Sequence, residues 1–219
     1  MLDDAAGRDE LQALGARSVP VVAKDGKFVF AQIIKDVVTF LGIDEDVGPK
    51  LSPAELAARG DHIWKAAVRF VGQMPDASLE KELPNRPRSY KVLMHHLFQV
   101  PNAFLEARAA GGALEYERLI APPPDWIKTS ADIAVFGEQL RLDFANWAAA
   151  EGDSLGQGPM PTYYGEQPAH EVLERTVWHS TQHVRQIMSL LEQEAVQIDG
   201  PLQQADFEGL PLPGPVWDS

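Results

Sequence analysis

Six histidines are spread over the chain, at His62, His95, His96, His170, His179 and His183, and cysteine is absent. The most informative stretch is Trp178-His179-Ser180-Thr181-Gln182-His183-Val184-Arg185-Gln186. Four residues is just over one helical turn, so on a helix His179 and His183 share a face with Cβ atoms roughly 5–6 Å apart. Both rings then reach a single ion at bonds of about 2.0–2.1 Å. Spacing alone is a weak motif, because an i,i+4 histidine pair also arises by chance. Placement strengthens it. The apolar stripe of this segment includes Leu173, Thr176, His183, Ile187 and Leu190, so His183 faces inward with His179 beside it. Inward imidazoles cost desolvation unless their nitrogens find partners.

A third ring comes from Leu93-Met94-His95-His96-Leu97. There the apolar stripe Val92, Leu93, His96, Val100, Ala103, Phe104 and Ala107 turns His96 inward. His95 shares a face with Lys91, Gln99 and Asn102, which reads as solvated. Two readings of His96, His179 and His183 stand at this point: ligands of one divalent metal, or three core histidines each satisfied separately. Without cysteine, thiolate metal sites, iron–sulfur clusters, disulfides and a nucleophilic thiol are excluded. Any metal is held by His, Asp or Glu, and any sulfur chemistry uses a borrowed thiol. Gln182, Arg185 and Gln186 read either as supports of the ligands or as plain helix surface. Tyr163 and Tyr164 either reach the mouth of the site or anchor their loop. His62, beside Asp61 and one turn from Arg59 and Arg69, reads as a salt-linked surface residue, and His170 as exposed.

Four long helical segments must position these rings. Ser52-Pro53-Ala54-Glu55 opens the first with an N-cap, a proline at the first position and a capping-box Glu. It runs to about Met74 on a stripe of Leu56, Ile63, Ala67, Phe70, Val71 and Met74. The second spans Ser89 to about Ala110, with a kink or local break expected at Pro101. The third spans Ser130 to about Ala150 on Ile133, Phe136, Leu140, Phe144 and Trp147, and the fourth follows Pro168 and ends near Ala195. Long helices joined by Gly- and Pro-rich loops predict a mainly α protein built on a four-helix bundle. Residues 1–48 differ, reading as a small α-β-β-α unit whose strands Ser18–Ala23 and Phe28–Phe30 flank an Asp25-Gly26 turn. Residues 49–195 form the bundle, and residues 196–219 an acidic, Pro-rich extended tail with Trp217 as a possible anchor. No internal repeat is visible.

Hydrophobic residues make up 45% of the 219, enough for a folded core. Nineteen basic against thirty-two acidic residues give a formal charge of −13. That balance repels a phosphate backbone and an anionic membrane surface, so neither nucleic acid nor membrane is an expected partner. No apolar run approaches the roughly 20 residues needed to cross a bilayer, and Met1-Leu2-Asp3-Asp4 is acidic where a secretory signal is basic. A cytoplasmic protein is the expectation.

Residues 50 to 195 resemble the DinB-like superfamily of four-helix bundles. Its pattern is Leu-x-x-His on the second helix and His-x-x-x-His on the fourth, often followed by Arg-Gln. Leu93-Met94-His95-His96 and His179 to Gln186 match it in kind, order and helix. The resemblance implies a three-histidine site on His96, His179 and His183 for one divalent ion, zinc first, with nickel or iron as alternatives, and a homodimer. Members similar to this chain include thiol-dependent isomerases and S-transferases. Ser18-Val19-Pro20, the Asp-Gly hairpin and the following helix resemble the C-terminal half of a glutaredoxin, with the Cys-x-x-Cys half missing. In intact glutaredoxins the backbone before the cis-proline pairs with the cysteine of glutathione, which would fall to Val19 here; a degenerate packing or dimerisation module is the alternative.

The resulting expectation is a metal-dependent enzyme acting on a low-molecular-weight thiol, glutathione as cosubstrate, by S-transfer, isomerisation or lyase chemistry. Three histidine ligands leave one coordination position open, as in catalytic zinc sites. Metal-hydroxide hydrolysis of a small ester, amide or lactone is a second reading, weakened because Glu171 and Glu174 lie off the ligand cluster. A metal-stabilised interaction module without activity is a third.

Overall fold

The structure is a computed structural model that describes residues 5–16, 21–31, 33–45, 47–83 and 86–217. The chain divides into two compact units, Met1–Gly48 and Pro49–Ser219. It is mainly helical, with three small antiparallel strand pairs among the described residues.

The first unit runs α1 (Ala5–Leu14), β1 (Val21–Lys24), β2 (Lys27–Phe30) and α2 (Ile34–Leu41). Val21 pairs with Phe30 and Lys24 with Lys27, so Asp25 and Gly26 alone make the turn. Both have positive φ, 52° and 71°, the geometry that a two-residue hairpin following the strand twist requires. The expected Ser18-Val19-Pro20 motif lies outside the described residues.

The second unit is built on α3 (Pro53–Gln73), α4 (Tyr90–Ala110), α6 (Ser130–Glu151) and α7 (Ala169–Gln193), with the single-turn α5 (Tyr116–Leu119) between α4 and α6. Start signals in the sequence are used as written. Ser52 and Glu55 form a reciprocal capping box, Thr129 and Asp132 form another, and Ser89 caps α4 through the Val92 amide. Helix α3 packs on α6 and α7, and α4 packs on the same two. The shared core includes Trp64, Phe70, Phe98, Phe104 and Phe144, all buried. Gly137 on α6 is a notch in this core. A Cβ there would lie 2.4 Å from the Phe98 ring, so only hydrogen lets α4 and α6 approach this closely.

The two segments read as irregular loops each hold a hairpin. β3 (Glu82–Leu83) pairs with β4 (Arg86–Ser89) just before α4, and β5 (Pro159–Thr162) pairs with β6 (Gly165–Pro168) just before α7. The order long helix, 3₁₀ turn, hairpin, long helix therefore occurs twice, although no sequence repeat announces it. Each ligand-bearing helix is the one launched by a hairpin.

Pro101 does not break α4, which is helical throughout Tyr90–Ala110. Proline lacks the N–H that would reach the carbonyl of Leu97, four residues back. That carbonyl instead accepts the Ser180 hydroxyl of α7 at 3.0 Å, in a fully buried bond. The break expected from the sequence is replaced by a tie between the two histidine-bearing helices.

The segment after α7 is held down. Arg59 donates to the carbonyls of Asp206 and Glu208 at 2.7 Å each, Arg69 to Gly200 and Gln73 to Gln197. Leu202, Phe207 and Leu210 enter the core. No helix is long and apolar enough to cross a membrane among the described residues.

Candidate metal centre

Helices α4 and α7 bring His96, His179 and His183 together, with one ring nitrogen of each within 4.8 Å of the others. Ring centroids stand 4.9 Å apart for His96 and His179, 5.3 Å for His96 and His183, and 4.4 Å for His179 and His183. The three rings thus form one cluster that could hold a divalent ion. It contains no carboxylate.

The rings meet neighbours outside the cluster. The backbone carbonyl of Leu119, at the end of α5, lies beside His96 and favours its protonated form. His183 donates from Nδ1 to Gln186 Oε1 at 2.6 Å, because an amide oxygen only accepts. Such partners fix which nitrogen keeps the lone pair that a metal needs. His179 Nδ1 is buried with no hydrogen-bond partner among the described residues, an unmet demand that a bound cation answers. The residues fit a divalent ion on this ground.

The electrostatics favour the neutral form of His96 and His179. Burial, then the His183 and Arg88 charges, push His96 down to about 3 against the weaker opposing pull of Leu119. Burial drives His179 well below the ordinary range, and His183, His96, Arg175 and Arg88 add to it. Neutral imidazole is the metal-binding form, so His96 and His179 need shed no proton at neutral pH to bind one.

His95 corrects the sequence reading. It is not solvated but 1% exposed, stacked on Phe136 of α6 with centroids 5.1 Å apart. Helix α4 is covered by α6, α7 and α5 together, so its polar flank is buried as well. Gln99 on the same flank donates to the Arg118 carbonyl. Burial lowers His95 to about 4. A ring that stays neutral when folded but takes a proton near pH 6.5 when unfolded supports the fold above pH 6.5 and opposes it below. Metal-free protein is therefore expected to lose about 3 kcal/mol through His95 alone between pH 6.5 and pH 4. Urea midpoints across that range check this, and His95→Gln should flatten the slope; an unchanged slope would count against it.

The remaining candidates fall into place individually. His62 bonds Asp206 at 2.9 Å on the surface, away from the cluster. His170 is part-buried rather than exposed, because it donates to the Leu51 carbonyl at 2.8 Å where that loop crosses the start of α7. Tyr164 is packed beneath the Arg175 guanidinium, 5.3 Å from the ring centroid, which anchors the β5–β6 turn to α7; Tyr163 is largely exposed. Gln186 is buried and Gln182 and Arg185 are bonded, so none of the three is plain surface. Sequence reading missed Arg88, Arg175, Ser180 and the Leu119 carbonyl. Only Ser180 carried a signal, since Pro101 guarantees that the Leu97 carbonyl needs some donor. No family model and no curated protein matches the chain.

Proposed function

We propose that the second unit is a DinB-like four-helix bundle and that it works as a metal-dependent enzyme on a low-molecular-weight thiol. The observation that carries this reading is the donor set: three imidazoles within 4.8 Å of one another, with no carboxylate among them and with His96 and His179 kept neutral by burial. Neutral ligands leave the full double charge on a bound ion, and the positive fields of Arg88 and Arg175 add to it. An anionic fourth partner is favoured there, and a thiolate is such a partner. When bound, the ion supplies Lewis acidity that makes a coordinated thiol ionise at neutral pH. His96, His179 and His183 would hold it, and Gln186 would orient His183.

In this reading zinc is the resident ion, glutathione the thiol, and S-transfer, isomerisation or lyase chemistry the reaction class, in a homodimer. The first unit is a glutaredoxin-like remnant, supported by its helix–strand–strand–helix order around the Asp25-Gly26 turn. Water as the fourth ligand would need a general base, and the cluster offers no carboxylate for it.

Elemental analysis tests the site first. Purified chain should carry about one divalent ion and His96→Ala none; equal content in both would remove the site. Turnover of an electrophilic substrate should then require added glutathione. Turnover without thiol would replace this reading with hydrolysis, and metal retention with no turnover would leave a binding module.

A further inference from the structure

Residues 213–217 pass directly over the turns of α7 that carry His179 and His183. Arg185 donates from Nη1 to the Pro213 carbonyl and from Nη2 to the Gly214 carbonyl, each at 2.8 Å. The Val216 carbonyl accepts from Gln182 Nε2 at 2.7 Å and from Gln186 Nε2 at 3.1 Å. Trp217 donates from its indole nitrogen to Ser189 Oγ at 3.3 Å. Arg185 also holds Gln182 by its Oε1 at 2.8 Å. Four side chains of α7, Gln182, Arg185, Gln186 and Ser189, thus grip a stretch of five residues, Pro213 to Trp217.

We propose that this segment is a positioning element for the metal centre, and that Gln186 is the positioning residue through which it acts. The proposal rests on reading His183 as a ligand. Its logic is one of donors and acceptors. A side-chain amide has an acceptor at one end and a donor at the other, and by itself it has no preference for which end meets an imidazole. The Val216 carbonyl can only accept, so Gln186 must turn its Nε2 outward to it. That leaves Oε1 facing His183 Nδ1, at 2.6 Å. Oε1 in turn can only accept, so Nδ1 carries the proton and Nε2 keeps its lone pair. With the segment gone, Gln186 is free to flip and donate to Nδ1, which moves the proton to Nε2 and blocks ligation. A backbone carbonyl thirty-three residues further along the chain thereby sets the tautomer of a metal ligand.

The test compares zinc affinity, by competition with a chromophoric chelator, with the melting temperature of the metal-free protein. Deleting Val216–Ser219 should weaken zinc binding about tenfold to a hundredfold, the usual effect of removing a ligand's supporting partner. Gln186→Leu should do the same, and the two changes together should do no more than either alone. Gln186→Glu in the shortened chain is the deciding variant. A carboxylate accepts from Nδ1 in any orientation and needs no carbonyl to turn it, so affinity should return to within about threefold of the full chain. If the shortened chain melts early, Gln186→Leu in the full chain replaces it. Unchanged zinc affinity in the shortened or Gln186→Leu chain overturns the proposal, as does failure of Glu to rescue. Native zinc affinity in His183→Ala would instead remove the metal site itself, and so separates the two failures.

Discussion

Zinc at about a hundredfold excess over its dissociation constant should raise the melting temperature of the full chain by roughly 5–11 °C, and that of His179→Ala by nothing measurable. The first figure follows from about 2.7 kcal/mol of linkage free energy, because a ligand that binds only the folded chain draws the equilibrium toward it. The unfolded chain cannot compete well: His96 and His179 are 83 residues apart in sequence and meet only through the packing of α4 on α7. His179 is the strongest choice for substitution, since its Nδ1 is buried without a partner and its loss leaves two rings on separate helices. The alanine variant should also be no less stable than the parent when both are metal-free, because a desolvated imidazole has been removed. Thermal melts with zinc and with chelator check both statements. An equal zinc-dependent rise in the two proteins would show that the ion binds elsewhere.

The tie between α4 and α7 carries the second large effect. Ser180→Ala strips the side-chain donor from the buried Leu97 carbonyl, and an unsatisfied buried carbonyl costs about 1–3 kcal/mol. Pro101→Ala restores the N–H that an unbroken helix would aim at that carbonyl, so it should be tolerated or mildly stabilising, since alanine is far the better helix former. In the Pro101→Ala background, Ser180→Ala should then cost little. The expected signature in urea unfolding is a coupling of about 1 kcal/mol or more between two residues on different helices. Additive effects would mean that the serine and the proline do not share the carbonyl. The partners sit one residue after His179 and one after His96, so the same bond sets the axial register in which those rings face each other.

Local period explains how much of this was legible beforehand. A helix places residues four apart on one face whatever surrounds it, so His179 and His183 were paired by spacing alone, and the stripe through Leu93 and Phe104 turned His96 to the same interior. Caps behave likewise, since Ser52 and Glu55 or Ser89 and the Val92 amide are within three residues of each other. The Asp25-Gly26 turn belongs with them. The ligand candidates, the helix bounds and the hairpin are short-range facts, and short-range facts are written in short-range pattern.

What escaped the pattern depends on neighbours far away in sequence. Periodicity marks the apolar face of α4 but is silent on whether a polar flank will be covered, and α5 with α6 cover the one that holds His95. Pro101 announces a freed carbonyl without naming Ser180, and the prolines of the last segment specify extension without specifying the arginines and glutamines that receive it. Hydrogen-bond partners of buried groups are chosen by which surfaces end up in contact, and that choice is made by the whole core at once. The residue types and one-turn spacing of the ligands were therefore set by the chain itself, while the closure of His96 onto His179 and His183, and the orientation of each ring, were decided only when the helices packed.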